Sequence, residues 1–447
     1  MIESSLISTE MLVDDLRLLC ALPSSHEQPE AATAAAYQVA ALMRQRGLRS
    51  EIIPTAGAPV VIGRRAGRSP FTLLLYHHYD TTPTGPWRAW NHEPYQVAER
   101  DGALYGRGVA DGKGPFVAHL AALASMIAVQ GELPISIVIV AEGETAIGSP
   151  HLGAIIAEYR DTFRADACLA SAGERDLDGR PMCYSGAKGM LQVRLTAFGA
   201  NQTLASGIAA TVPSPLWQMI WALASIKSNQ EEILIEGFYN DVESPSRAET
   251  QELRRVRVNE AGRLEAWGLS QFLFEMHGAT LTTAESTLPT CNVSALTVEP
   301  QQDYATIPVV ATARLDFQLV PRQRPQAIID LLREHLKERE LPDVGVERIV
   351  GGYPATATPA NHPFVERVRA AGQVGFGTPL TRLPLGPFAL PLFFFAEAFG
   401  LPVAIVGCAQ HDSAIYGPNE HIPLLDLVRH GQTLIDLLDS YAPQPQV

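Results

Sequence analysis

The chain has 447 residues, 46% hydrophobic and 18% charged, and its 48 acidic side chains against 34 basic ones give a net charge of -14. That length exceeds a single hydrophobic core and implies two domains. The acidic balance argues against nucleic acid or an anionic membrane as a partner.

No run reaches the roughly 18 apolar residues of a membrane span, and the N-terminus lacks a basic segment ahead of an apolar one. The five cysteines are scattered, odd in number and outside any C-x-x-C pair, which fits reduced thiols in the cytoplasm.

In chain order, residues from Thr9 to Cys20 and from Glu30 to Arg46 have the apolar spacing of helices. Phe71 to Tyr76 is a continuous apolar run, as expected of a strand buried on both faces. A helix from Pro115 to Val129 follows, with proline in its first turn. Ile135 to Ala141 and Ala167 to Ala170 are further buried strands. Near the C-terminus a helix from Leu390 to Phe399 precedes a strand from Pro402 to Val406.

This alternation predicts an α/β fold with a mostly parallel sheet flanked by helices. The middle differs. Leu191 to Phe198 and Thr306 to Leu319 alternate apolar and polar residues, the pattern of antiparallel strands with one open face. Helices from Pro215 to Ser228 and from Pro325 to Arg339 would cover the other face. The expectation is therefore an α+β domain over residues 190–353, inserted into an α/β domain made of 1–189 and 354–447. A short Pro/Gln tail follows Tyr441.

The candidate functional residues follow predicted strands. His78 and Asp80 come after the first, Glu142 after the second, Ser171 and Ala172 after the third, and Gly407 after the last. Ligands of open α/β sheets bind beyond the carboxyl ends of strands, so these loops should share one rim. An imidazole and a carboxylate at a strand end suit zinc. No G-x-G-x-x-G, P-loop or G-x-S-x-G motif is present. Cys408 is read as a small buried hydrophobe, and Phe393 to Phe395 as core.

L-L-L-Y-H-H-Y-D-T-T-P (73–83) and D-G-A-L-Y-G-R-G-V-A-D-G-K-G (101–114) resemble the M20 metallopeptidases, whose dipeptidases, aminoacylases and carboxypeptidases bridge two zinc ions. I-E-G-F-Y-N-D-V (235–242), P-T-C-N-V (289–293), D-F-Q-L-V-P-R-Q (316–323) and G-P-N-E (417–420) are similar to the carnosinase-type branch. The resemblance implies a zinc-peptidase-like fold whose insert is a lid and dimerisation domain.

It also implies a degenerate site. The segment E-G-E-T-A-I-G-S-P-H-L (142–152) carries Thr145 at the general-base position and Ala146 at a ligand position, where the family has two glutamates. Ala172 stands where the family has a ligating aspartate, and Tyr416 where it has a histidine. The ligands His78 and the bridging Asp111 remain, with Asp80 in its role of supporting His78. Two substrate-binding positions are replaced as well, by Ala205 for a histidine and Gln318 for an arginine, and the G-S-x-P turn reads F-A-L-P (388–391).

Hydrolytic zinc needs about three protein ligands and an open position. A dinuclear centre is therefore not expected, and at most one zinc would be held weakly at His78 and Asp111. The expected function is that of a non-hydrolytic descendant binding a small molecule in the interdomain cleft, or a partner, with a homodimer through the lid. The alternative is an active dipeptidase or N-acyl-amino-acid amidohydrolase. Its site would be mononuclear or metal-free, rebuilt from His77, Glu142, Glu144, His411 or Asp412. Asp111, if no metal is bound, should lie beside a donor, with Lys113 and His78 the candidates.

Overall fold

A computed structural model describes residues 7–301, 304–359 and 361–442. From residue 443 on, the Pro/Gln tail lies outside the described residues. The chain divides into two compact units. The first comprises Met1–Ala187, Pro245–Ser286 and Thr356–Val447, and the second Lys188–Ser244 and Thr287–Ala355.

The first unit is an α/β structure around an eight-stranded mixed sheet. Its order is Arg49–Ile53, Val60–Arg65, Leu133–Glu142, Gly67–His78, Ala167–Ser171, Val403–Val406, Met182–Tyr184 and Thr381–Leu383. The strands from Leu133–Glu142 to Val403–Val406 run parallel, and antiparallel pairs flank them on both sides. The central strands are apolar throughout because both faces are covered. Leu73, Leu75, Ile137 and Ile139 enter one core, packed under the helices Thr9–Cys20, Pro29–Gln45, Lys113–Gln130 and Leu424–Asp439. Leu74, Tyr76, Val138 and Val140 enter the core on the other face, with Ile155, Leu281 and Phe395. Each such side chain contributes about 1.5–3 kcal/mol by leaving water.

The second unit is built on an antiparallel sheet with strand order Thr290–Glu299, Val310–Leu319, Gly186–Phe198 and Gly345–Arg348. Leu191, Val193 and Leu195 alternate inward and meet Leu315 and Phe317, under the helices Pro215–Ile226 and Pro325–Glu338. The single strand expected from Thr306 to Leu319 is two strands, Thr306–Ile307 and Val310–Leu319. Pro308 lies between them and has no N–H to give a ladder.

The expected insert, 190–353, is itself interrupted. Residues 245–286 belong to the first unit, where Leu253, Val256, Val258 and Leu281 join the same core as Leu383 and Phe395. Their helices Arg247–Leu253, Glu260–Trp267 and Gly278–Thr287 are short and carry few apolar residues, so no periodicity marked the return. The expected helix from Leu390 begins later, as Phe393–Phe399.

Candidate functional site

The four parallel strands end at one edge of the sheet. His78 is in register with Glu142, Tyr76 with Ala170, and Ser171 with Val406. This puts the loops after His78, Glu142, Ser171 and Val406 on a common rim, as the strand pattern predicted.

His78 sits between two carboxylates. Its Nδ1 is 3.3 Å from Asp80 Oδ1, and its Nε2 is 3.4 Å from Asp111 Oδ1. Burial disfavours the imidazolium, but the Asp111 and Asp80 carboxylates outweigh it and hold the pKa well above the ordinary histidine value. Asp80 is buried, and its Oδ2 accepts from the Ala146 N–H at 2.8 Å. Asp111 lies just ahead of the helix Lys113–Gln130, on a turn whose Gly112 has φ +74°. A Cβ there would lie 2.7 Å from His78 Cε1 and 2.8 Å from the His78 carbonyl oxygen. Only glycine lets the Asp111 turn pass this close to the histidine.

A second device fixes the same turn. Arg107 and Glu420 form a buried ion pair at 2.8 Å. The Glu420 carboxylate also accepts from the backbone N–H groups of Gly108, Ala110 and Asp111 at 3.0, 2.9 and 3.2 Å. Arg107 Nη2 donates to the Tyr416 and Gly417 carbonyls at 3.3 and 3.0 Å, and the guanidinium lies over the Trp90 ring. Sequence reasoning used both motif stretches but missed this pair. The signal was available, because an arginine and a glutamate inside otherwise ligand-bearing motifs need partners when buried.

Of the two donors expected for Asp111, His78 is there. Lys113 is not. Its Nζ turns away to the Leu19 and Leu22 carbonyls at 3.0 and 2.8 Å. Two carbonyl acceptors help an ammonium whose pKa desolvation lowers.

In the first unit, Thr145, Ala146, Ala172 and Tyr416 are neutral groups. Thr145 opens a short turn, with its Oγ1 3.1 Å from Tyr76 Oη. Ala146 offers Asp80 only its backbone. Ala172 packs against the core with its N–H on the Val406 carbonyl at 3.2 Å. Tyr416 has φ +70°, is 66% exposed, and lines a small pocket with Asp111, Arg107 and Glu420. In the second unit, Ala205 is exposed and pairs with Thr306. Gln318 pairs with Met190 and Thr290, and its buried Oε1 has no hydrogen-bond partner among the described residues.

Four of the five residues considered as substitutes have partners elsewhere. His77 Nε2 is 3.0 Å from His119 Nδ1, beneath the sheet edge. Glu142 accepts from Tyr76 Oη and, at 2.8 Å, from Ser149 Oγ; burial first, then the Asp80 charge, pushes its pKa up to about 7. Glu144 pairs with His151 at 2.7 Å, and His411 lies 3.5 Å from Asn259 Nδ2. Asp412 is exposed.

Zinc would find His78 Nε2 and Asp111 Oδ1 at 3.4 Å, close to the roughly 3.3 Å that separates two donors on one tetrahedral ion. Among the described residues, no group of three or more His, Cys, Asp or Glu side chains is arranged to hold a metal. The donor set does not fit a dinuclear zinc centre.

The fold is that of an M20-type peptidase. The model of peptidase family M20/M25/M40 matches residues 74–440, and the chain belongs to that family. It is similar to the probable di- and tripeptidase DUG2 of Saccharomyces cerevisiae, 24% identical over 298 residues. That match covers 64% of this chain and spans 33% of that protein's length. It is 24% identical to the human Beta-Ala-His dipeptidase over 376 residues, covering 81% of this chain and 74% of that one. The solved M20 family metallo-carboxypeptidase Sso-CP2 from Sulfolobus solfataricus superposes with a TM-score of 0.89 at 25% identity, covering 96% of this chain and 99% of that one.

Proposed function

We propose that this family member has left dizinc hydrolysis and uses the rim to bind a small molecule that presents a hydrogen-bond donor to Asp111. The observation that carries the reading is the donor set. His78 and Asp111 face each other, while Thr145, Ala146, Ala172 and Tyr416 bring no carboxylate or imidazole. The engagement of Glu142, Glu144 and His77 with Tyr76, His151 and His119 supports it further, because none of these is free to rebuild a metal shell. The neutral Ala205 and Gln318 agree with relaxed demands on substrate recognition.

The 3.4 Å spacing of His78 and Asp111 favours, as a second reading, a mononuclear amide hydrolase of the dipeptidase or N-acyl-amino-acid type. A turnover panel of dipeptides and N-acyl amino acids, with and without added zinc, separates the two. No turnover above background is expected. Rates in the ordinary enzymatic range of ~1–10³ per second would establish the hydrolase instead.

A homodimer through the second unit is part of this reading. Trp217 and Trp221 stack on the exposed side of the helix Pro215–Ile226 and are 57% and 55% exposed. The edge strand Thr290–Glu299 exposes Val293 and Leu296. A long apolar edge is a ready template for pairing. Sedimentation should give about twice the chain mass of 48.4 kDa, and a monomer mass across micromolar concentrations would rule the dimer out. No helix among the described residues is long and apolar enough to cross a membrane. The five thiols are free and buried, in keeping with the cytoplasm as the compartment.

A further inference from the structure

A cavity of about 870 Å³ opens in the first unit, far from the rim. Its floor includes Ile62, Val138, Ser136 and Thr72, near the amino-terminal ends of the parallel strands. Glu142, at the other end of the same strand, is four residues beyond Val138, or about 13 Å.

Three arginines at this cavity lack partners. Arg49 and Arg64 are directly opposite each other in an antiparallel pair, which puts both guanidinium groups on one face. Arg164 comes from the loop ahead of the strand Ala167–Ser171. No hydrogen bond, ion pair or ring contact joins the side chain of any of the three to another described residue. The neighbouring cations differ: Arg65 donates to the Gly47 and Gly131 carbonyls, and Arg68 pairs with Glu132.

Like charges directly opposed across a strand pair are destabilising. Glu51, Glu132 and Asp161 also line the cavity, but Glu132 pairs with Arg68 and none of the three forms an ion pair with Arg49, Arg64 or Arg164, although carboxylates outnumber basic groups 48 to 34 in the chain. Arginine's planar fork matches the oxygens of a phosphoryl group, and adjacent forks can share one. The volume is that of a small-molecule site, and the partly apolar floor suits an organic body.

We propose that this cavity binds a free organic diphosphate. Arg49 and Arg64 hold one phosphoryl group, Arg164 reaches the other, and Ile62 and Val138 underlie the organic portion.

Pyrophosphate is the probe, used with the full chain in thermal unfolding and calorimetry. Wild type should melt at higher temperature as pyrophosphate is added. The Arg49→Gln/Arg64→Gln variant should bind it at least ~10-fold more weakly, and Arg164→Gln should also weaken binding. Without ligand, the double variant should melt no lower than wild type, because the cross-strand repulsion is gone. The proposal is overturned by no rise in wild type, or by an equal rise in the double variant. Citrate binding as tightly as pyrophosphate would overturn the phosphoryl assignment. Co-flotation with phosphatidic acid vesicles, lost in the double variant, would place the ligand in a membrane instead.

Discussion

Single residues decide how the rim around His78 and Asp111 is held. Glu420 gathers Arg107 and three backbone N–H groups, so one carboxylate sets the path of the Asp111 turn. Burial of such a charge is tolerable only because every oxygen is paired. The buried histidines under the rim are held neutral instead. His430 accepts or donates at 2.8 Å with Ser171 Oγ and stacks on His119 at 4.5 Å, and burial pushes its pKa down to about 4. An unfolded histidine titrates near 6.5. The folded form therefore binds fewer protons than the unfolded form between those values, and stability falls as pH drops from 6.5 toward 4. Glu142, raised to about 7, acts with the opposite sign, since the folded state keeps a proton the unfolded state has lost. His430→Gln leaves Glu142 unchanged and isolates the histidine. Urea unfolding at pH 7 and pH 5 should show the variant losing less stability than wild type, by about 2 kcal/mol. An identical loss in both proteins would mean that His430 is not held neutral.

At the level of elements, the site depends on strands that end together and on one turn that must pass beneath a histidine. The parallel strands were legible in the sequence because Phe71 to Tyr76 and Ile135 to Ala141 are unbroken apolar runs, which burial on both faces requires. The strands Arg49–Ile53 and Val60–Arg65 on one side of the sheet were not, since the first opens R-S-E and the second closes on two arginines. The motif stretches located His78, Asp80 and Asp111 correctly relative to one another. They did not reveal which way Lys113 turns, because its partners are the Leu19 and Leu22 carbonyls at the end of a helix remote in sequence. Gly112 was equally silent, as its need comes from the later approach of His78. Gly112→Ala adds a Cβ against the His78 ring and carbonyl in a left-handed conformation. It should destabilise the protein by about 2 kcal/mol or more in chemical denaturation. A change below ~0.5 kcal/mol would show that the turn does not pass so close.

For the whole molecule, the proposal is a peptidase scaffold kept around an altered centre. The family match runs over residues 74–440, which takes in the loops of His78, Asp111, Thr145, Ala172 and Tyr416. The combined variant Thr145→Glu, Ala146→Glu, Ala172→Asp and Tyr416→His should then restore zinc binding, while each single change does almost nothing. A metal site needs its ligands jointly, so the effects are strongly non-additive. Segment 245–286 returns to the first unit without a sequence signal, because domain membership shows in strand character and this segment has only short helices. The most direct test of the altered centre is the zinc stoichiometry of the unmodified protein, measured by elemental analysis after dialysis against zinc-free buffer. At most one weakly held equivalent is expected, lost on dialysis, with His78 and Asp111 as its donors. Two equivalents retained through dialysis would contradict the account and return the chain to the dizinc hydrolases.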